Sequence, residues 1–176
     1  WAAGDSQAKG FLIGATSGRT TLNGEGLQHQ DGHSHLFSAT IPNCLSYDPA
    51  YAYELAVIFQ HGIQKMFVDL ENYYYYITVT NENYQQPAKP EGSDEGIIKG
   101  MYRLIGNKEH QVILLGSGSI LNESLKAVEI LSSIGIAAEV WSVTSFNMLR
   151  KDGIDKQRFN ELNPDLLSKV SYVEEC

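Results

Sequence analysis

The spacing of apolar residues predicts that strands and helices alternate along the chain. Runs of apolar, aromatic and β-branched residues at 11–15, 41–47 and 73–80 are typical of strands, and the first of them is expected to be buried. Between the second and third runs, apolar residues return every three or four positions, which is the spacing of one face of a helix. They are Ala52, Leu55, Ala56, Phe59, Ile63, Met66 and Phe67. Asp48 and Pro49 suit the N-cap and first position of this helix, and strand–helix–strand order predicts a parallel sheet.

A second unit of the same kind is predicted in the other half of the chain. Residues 101–105 suit a leading strand, the fully apolar residues 112–115 suit a buried strand, and residues 137–143 suit a returning strand. The helix between the last two strands is expected to end at Gly135, and a further helix is expected at 147–162. We therefore predict an α/β chain with two βαβ-type units, whose sheets are parallel or mixed.

A stretch poor in apolar residues separates these two units. Residues 81–92 are rich in Asn, Gln, Pro and Gly, and their prolines favour a stiff connection. We place the first unit at residues 1–84, a linker at 85–96 and the second unit at 97–176. Because the chain opens on Trp1 rather than on Met, we expect both units to belong to a longer polypeptide.

Charge and hydropathy exclude several classes of partner. The formal net charge of -8 argues against nucleic acid, because phosphate binding depends on Lys and Arg. No apolar stretch reaches the roughly 20 residues that span a bilayer, and no cationic leader opens the chain. Cys44 and Cys176 stand in no CxxC pair, so both are expected to be free thiols. These features predict a cytoplasmic protein that binds neither nucleic acid nor a membrane.

The residues best suited to chemistry lie in a glycine-rich loop after the first predicted strand. Three of the five histidines, His29, His33 and His35, fall here beside Glu25 and Asp31. Glycine lets the backbone approach a ligand closely, and open α/β sheets place their sites after strands. The loop is therefore the candidate site.

This loop permits three interpretations. In an extended stretch His33 and His35 would point the same way, and with Asp31 they could bind a divalent metal, as in a metal-dependent hydrolase. Alternatively, the histidines could transfer protons to a bound organic ligand, because imidazole titrates near neutral pH. The third interpretation is a surface loop whose histidines are satisfied by the backbone, without chemistry of its own.

Longer strings resemble one family of enzymes. They are TSGRTTLNGEGLQH at 16–29, DGHSH at 31–35, IPNCLSYDPAYAYE at 41–54, YYYIT at 74–78, NENY at 81–84 and LLGSGSI at 114–120. These strings closely resemble the homodimeric bacterial pyruvate-decarboxylating component of the pyruvate dehydrogenase complex. The DGxxH pattern that ends at His35 is also similar to the loop of transketolases. The resemblance places this chain at the end of the middle, pyrimidine-binding domain and in most of a transketolase-like C-terminal domain.

The resemblance also implies an activity. It implies decarboxylation of pyruvate with thiamine diphosphate as electron sink, then transfer of the acetyl group to a lipoyl group on the dihydrolipoyl acetyltransferase component. His29 and His35 match active-site positions, and Asp31, Glu25 and His33 would support them. The implied enzyme is a homodimer that uses thiamine diphosphate and Mg²⁺.

Two parts of the family pattern are missing from this chain. The magnesium motif, GDG followed by Asn, does not occur, and the Glu that activates the aminopyrimidine would lie upstream of Trp1. We therefore expect this chain alone to bind neither cofactor nor metal and to be inactive, and a non-catalytic dimerisation module stays an alternative. Gln30 stands where the family has an acidic residue, which would change the basicity of the neighbouring histidines.

Overall fold

Two small sheets organise the chain, one in each half. The computed structural model describes residues 1–15, 31–80, 83–106 and 109–176. Within these residues each sheet has three strands, and helices pack against them. This arrangement confirms the predicted α/β class with two βαβ-type units.

The first sheet is parallel throughout. It contains β1 (Phe11–Ala15), β2 (Cys44–Tyr47) and β3 (Tyr74–Val79), and β3 lies between the other two strands. α3 (Ala52–Ile63) connects β2 with β3 and provides the crossover that parallel neighbours require. Because β3 has a neighbour on each side, its side chains form the centre of the first core, where Tyr75 is fully buried.

The second sheet is mixed. β6 (Ala138–Val143) pairs in parallel with β5 (Val112–Gly116) and antiparallel with β4 (Met101–Ile105). α5 (Ile120–Ser133) crosses between β5 and β6, and Gly135 follows it with a left-handed φ of 79°. A glycine in this conformation ends the helix as predicted, because only glycine adopts it without a steric penalty.

Two strands predicted to be buried are edge strands with exposed apolar side chains. In β1, Leu12 and Ile13 are about half exposed, and in β5, Ile113 and Leu115 are slightly more than half exposed. An unbroken apolar run indicates that both faces suit burial, but it does not indicate what covers them. These faces are uncovered within the described part of the chain.

The helix that was predicted to have Asp48 as its N-cap and Pro49 as its first residue begins three residues later. α3 starts at Ala52, and Tyr51 occupies the N-cap with extended dihedrals. The carboxyl group of Glu54 accepts hydrogen bonds from the backbone N–H groups of Ala50 and Tyr51, at 2.6 and 3.0 Å. The helix therefore caps itself through its own third residue, which leaves Asp48 for other contacts.

The remaining helices complete the layers around the sheets. They are α1 (Ala2–Asp5), α2 (Ser34–Ser38), α4 (Asp94–Lys99), α6 (Phe146–Leu162) and α7 (Tyr172–Glu175). α3 continues as one π-helical turn at Gln64–Val68, and α6 covers the segment predicted as the last long helix. None of the helices in the described residues is long and apolar enough to cross a bilayer. The exact limits of the linker stay a prediction.

A buried carboxyl group joins the two units. Glu54 is fully buried, and besides its own helix it accepts hydrogen bonds from the hydroxyl groups of Tyr102 at 2.7 Å and Ser142 at 2.6 Å. Burial, with Glu54 adding to it, raises the pKa of Tyr102 far above its ordinary value. Burial likewise raises the pKa of Tyr53 to about 12, although a hydrogen bond with Tyr102 opposes the change. Both phenols are therefore neutral donors at physiological pH, and the units pack through polar as well as apolar contacts.

Candidate active site

Polar side chains from both sheets meet where parallel strands end. Asp48 follows β2, Thr78 lies near the end of β3, Ser117 follows β5 and Ser145 follows β6. The carboxyl ends of parallel strands share one edge of a sheet, and here the edges of the two sheets face each other. This is the position at which open α/β sheets bind their ligands.

A chain of hydrogen bonds links His35 to this edge. Nε2 of His35 lies 2.9 Å from Oγ1 of Thr78, and the Thr78 hydroxyl donates to Oδ1 of Asp48 at 2.6 Å. Oδ2 of the same carboxyl group accepts from the hydroxyl of Ser117 at 3.0 Å. Thr78 is buried, so water does not compete freely for these bonds. The imidazole is thereby tied to both halves of the molecule.

The backbone of Asp48 is fixed by the second unit as well. Its N–H donates to the carbonyl of Thr144 at 2.7 Å, and its carbonyl accepts from the N–H of Gly118 at 3.2 Å. Gly118 has a left-handed φ of 53°, and a Cβ atom there would lie 2.9 Å from Oδ2 of Asp48. Glycine is therefore required both for the turn and for the close approach of the carboxyl group.

The start of α6 holds the short helix that carries His35. Nδ2 of Asn147 donates to the backbone carbonyl of His35 at 2.7 Å and to the hydroxyl of Ser46 at 2.6 Å. The Ser145 hydroxyl donates to the carbonyl of Ser46 at 2.6 Å and accepts from the N–H of Met148, which caps α6. α2 is thus oriented by side chains of the second unit.

These groups surround a cavity of about 210 Å³. Its lining residues are His35, Asp48, Ser117, Ser145, Phe146 and Asn147. A larger cavity of about 340 Å³ lies elsewhere, lined partly by residues of α3 and α6. There, Lys151 and Lys156 pair with Asp155 and Asp152, so the lysines are already engaged. Because the smaller cavity collects a histidine, a carboxyl group, two hydroxyls and an amide, it is the better candidate for chemistry.

Carboxyl groups shape the electrostatics near the histidine. The ring centroid of Tyr76 lies 5.4 Å from that of His35 in an edge-on arrangement. Burial raises the pKa of Tyr76, a hydrogen bond with Ser34 opposes this, and the carboxyl groups of Asp31 and Asp48 add to the increase. Tyr76 therefore stays neutral, while the two carboxyl groups are the acidic neighbours of the site.

His33, His35 and Asp31 do not form the metal site that was one interpretation of the loop. His33 is the N-cap of α2 and its ring neighbours Phe37, whereas His35 contacts Thr78. Asp31 accepts hydrogen bonds from the backbone and hydroxyl of Ser34. The segment is helical rather than extended, so side chains two positions apart diverge. In the described ranges no three His, Cys, Asp or Glu side chains are grouped closely enough to hold a metal, which removes the support for a hydrolase built on His33, His35 and Asp31.

The structure describes only some of the other residues that were considered for the site. Glu25, His29 and Gln30 lie outside the described residues. Asp48 was assigned to a helix cap, and Thr78 was one strand residue among many. Neither has a local signal for a site, because their roles arise only when β2 and β3 lie side by side.

Two known family profiles together match almost the whole chain. Residues 1–87 match the profile of the pyruvate dehydrogenase E1 component middle domain, and residues 100–176 match that of the transketolase-like C-terminal domain. The pyruvate dehydrogenase E1 component of Pseudomonas aeruginosa is 61% identical, over 100% of this chain and 20% of that protein. The namesake from Escherichia coli K12 is 59% identical, over 98% of this chain and 20% of that protein. The chain thus spans about a fifth of the length of these relatives.

Solved structures of transketolases share the fold. The chain superposes on transketolase from Campylobacter jejuni with a TM-score of 0.68 at 22% identity, over 84% of this chain and 22% of that one. A split-gene transketolase, solved as an inactive β4 tetramer, gives a TM-score of 0.56 at 20% identity, over 86% of this chain and 44% of that one. At these identities the likeness establishes the fold alone.

Proposed function

Because this chain belongs to the pyruvate dehydrogenase E1 family, we propose that it forms one wall of an active site that decarboxylates pyruvate and passes the acetyl group to a lipoyl group. The observation that carries this proposal is the hydrogen-bonded series His35–Thr78–Asp48 beside a cavity at the carboxyl edges of both sheets. An imidazole held in this way can give or take a proton at a bound ligand.

Each residue of the candidate loop has a proposed role. His29 and His35 transfer protons to and from the bound substrate. Asp31 and Glu25 orient the histidines and hold the loop, and His33 supports the start of α2. For Asp31, the contacts with Ser34 at the first turn of α2 favour this role.

The cavity lining fits the organic part of a cofactor complex better than its phosphates. The described lining offers imidazole, hydroxyl and amide groups and contains neither Lys nor Arg. We propose that thiamine diphosphate and Mg²⁺ are held mainly by residues that this stretch does not contain. When bound, thiamine diphosphate supplies the electron sink for the decarboxylation. The residues of this chain then bind and orient the substrate, exclude water and move protons.

The proposed partners follow from the family. We propose that the complete enzyme is a cytoplasmic homodimer that works with the dihydrolipoyl acetyltransferase component, and that neither nucleic acid nor a membrane is a partner. The exposed apolar side chains on β1 and β5 support packing against further protein, since soluble monomers rarely expose such faces.

A direct assay tests the proposed activity. The complete E1 polypeptide that carries this stretch is expected to release CO₂ from pyruvate and to acetylate a lipoyl domain, in a reaction that depends on thiamine diphosphate and Mg²⁺. Release of CO₂ would be followed with carboxyl-labelled pyruvate, and acetylation by mass spectrometry of the lipoyl domain. Failure to consume pyruvate with both cofactors bound would refute the proposal.

The 176-residue chain alone is expected to lack cofactor binding. Titration of thiamine diphosphate with Mg²⁺ into it should give no saturable heat in a calorimeter, because the groups proposed to hold the diphosphate are elsewhere. The complete enzyme, titrated under the same conditions, is the positive control. A micromolar dissociation constant for the short chain would contradict this division of the site.

A further inference from the structure

The Thr78 hydroxyl lies between an imidazole nitrogen and a carboxyl group. It has one proton to donate. Its acceptors are Oδ1 of Asp48 at 2.6 Å and, at a longer 3.4 Å, the backbone carbonyl of Tyr47. A carbonyl oxygen and an ionised carboxylate can only accept. The hydroxyl proton is therefore directed away from His35 whichever of the two oxygens receives it.

This proton count determines the remaining bond of the series. Nε2 of His35 lies 2.9 Å from Oγ1 of Thr78, within hydrogen-bond distance. Since the hydroxyl has given its proton to Asp48, Nε2 must be the donor in this bond.

We propose that Thr78 and Asp48 are positioning residues: the Thr78 hydroxyl, held by Asp48, accepts from the Nε2–H group of His35 and so fixes the orientation of the imidazole at the cavity. This inference rests on the proposed function of His35. It adds to that function two residues that the family resemblance did not single out.

The second unit keeps this series in place. The hydroxyl of Ser117 donates to Oδ2 of Asp48, so both carboxyl oxygens are engaged. The N–H and the carbonyl of Asp48 are both hydrogen-bonded to the backbone of the second unit. Gly118 lies so close to the carboxyl group that a Cβ atom there would come within 2.9 Å of Oδ2. The Asp48 side chain therefore has little room to turn away from Thr78, and the hydroxyl in turn has no better acceptor.

Replacement of Thr78 in the complete enzyme tests the hydroxyl. Thr78→Val keeps the shape of the side chain but removes the acceptor for Nε2. An acid–base group typically raises the rate by about 10²–10⁴-fold, and we expect loss of its positioning to lower kcat/KM for pyruvate by about tenfold or more. Thr78→Ser is the matched control, because it restores the hydroxyl and should restore kcat/KM to within about threefold. Wild-type activity in Thr78→Val, or an equal loss in Thr78→Ser, would overturn the proposal.

A second variant tests the carboxylate independently of the packing at Thr78. Asp48→Asn is nearly isosteric and keeps an oxygen for the Thr78 hydroxyl. kcat/KM for pyruvate should fall, because a neutral amide is a weaker acceptor than a carboxylate and holds the hydroxyl proton less firmly away from Nε2. An unchanged kcat/KM would overturn the role of Asp48, also if Thr78→Val does not fold.

The outcomes separate this inference from the function on which it rests. If His35→Ala leaves pyruvate turnover unchanged, the proposed function of His35 fails. If His35→Ala abolishes turnover while Thr78→Val and Asp48→Asn both behave as wild type, only the positioning role fails.

Discussion

Replacing His35 with Ala in the complete enzyme is expected to reduce pyruvate turnover by roughly 10²-fold or more, the usual contribution of one acid–base group. The same loss is expected for His29→Ala. In the described site, His35 is the imidazole that lines the cavity, and Asn147 and Thr78 hold its backbone and ring. Its removal takes away the proton carrier while leaving the hydroxyl and carboxyl groups behind it in place. Steady-state kinetics should show the loss in kcat, because the group acts in the transition state.

A histidine elsewhere in the fold provides the control for this experiment. His61 lies on α3 and lines the larger cavity instead of the candidate site. His61→Ala is therefore expected to keep kcat within about twofold of wild type, as is usual for changes away from a site. If His29→Ala and His35→Ala were equally silent, the loop would have no chemical role, and the alternative of a non-catalytic dimerisation module would be favoured.

Replacing Glu54 with Ala is expected to produce the largest loss of stability. Its buried carboxyl group accepts hydrogen bonds from the N–H groups of Ala50 and Tyr51 and from the hydroxyls of Tyr102 and Ser142. Each buried donor left without an acceptor costs about 1–3 kcal/mol, so we expect a total near 3–5 kcal/mol after relaxation. The thermal midpoint of the 176-residue chain should fall by roughly 10 °C, measured by circular dichroism.

A glutamate at a similar place in another helix controls for the loss of the residue itself. Glu123 stands in the first turn of α5, is more than half exposed and pairs with Lys126 at 2.8 Å. Glu123→Ala should change the free energy of unfolding by less than about 0.5 kcal/mol, because exposed ion pairs contribute little. Similar midpoints for the two variants would contradict the view that Glu54 bonds the two units together.

The pattern of apolar residues predicted most of the secondary structure because that pattern is local. The run of aromatic and β-branched residues at 73–80 and the three-to-four spacing after Tyr51 place β3 and α3 with little ambiguity. The predicted start of α3 was wrong because residue type alone does not decide where a helix is capped. Asp48 fits the N-cap by type, but the reach of Glu54 back to the preceding N–H groups decides the matter, and that depends on its burial against Tyr102.

The candidate site was predictable only in part for a similar reason. The loop stood out through its histidines, and His35 does line the cavity. Asp48, Thr78 and Asn147 come from three separate segments, and no spacing along the chain connects them. The failed metal hypothesis has the same origin, because whether His33 and His35 share a direction depends on backbone conformation, which α2 makes helical.

The bonds of Asp48 limit how the two units can be exchanged during evolution or in protein engineering. Asp48 accepts a hydrogen bond from Thr78, which contacts His35, and it also accepts hydrogen bonds from Ser117 and Gly118 in the turn after β5. A chimera that takes its second half from another enzyme of this fold would need that turn, with glycine at the left-handed position, or the His35–Thr78–Asp48 series of the first half would be misaligned. Recombination at the junction is thus restricted by chemistry as well as by packing.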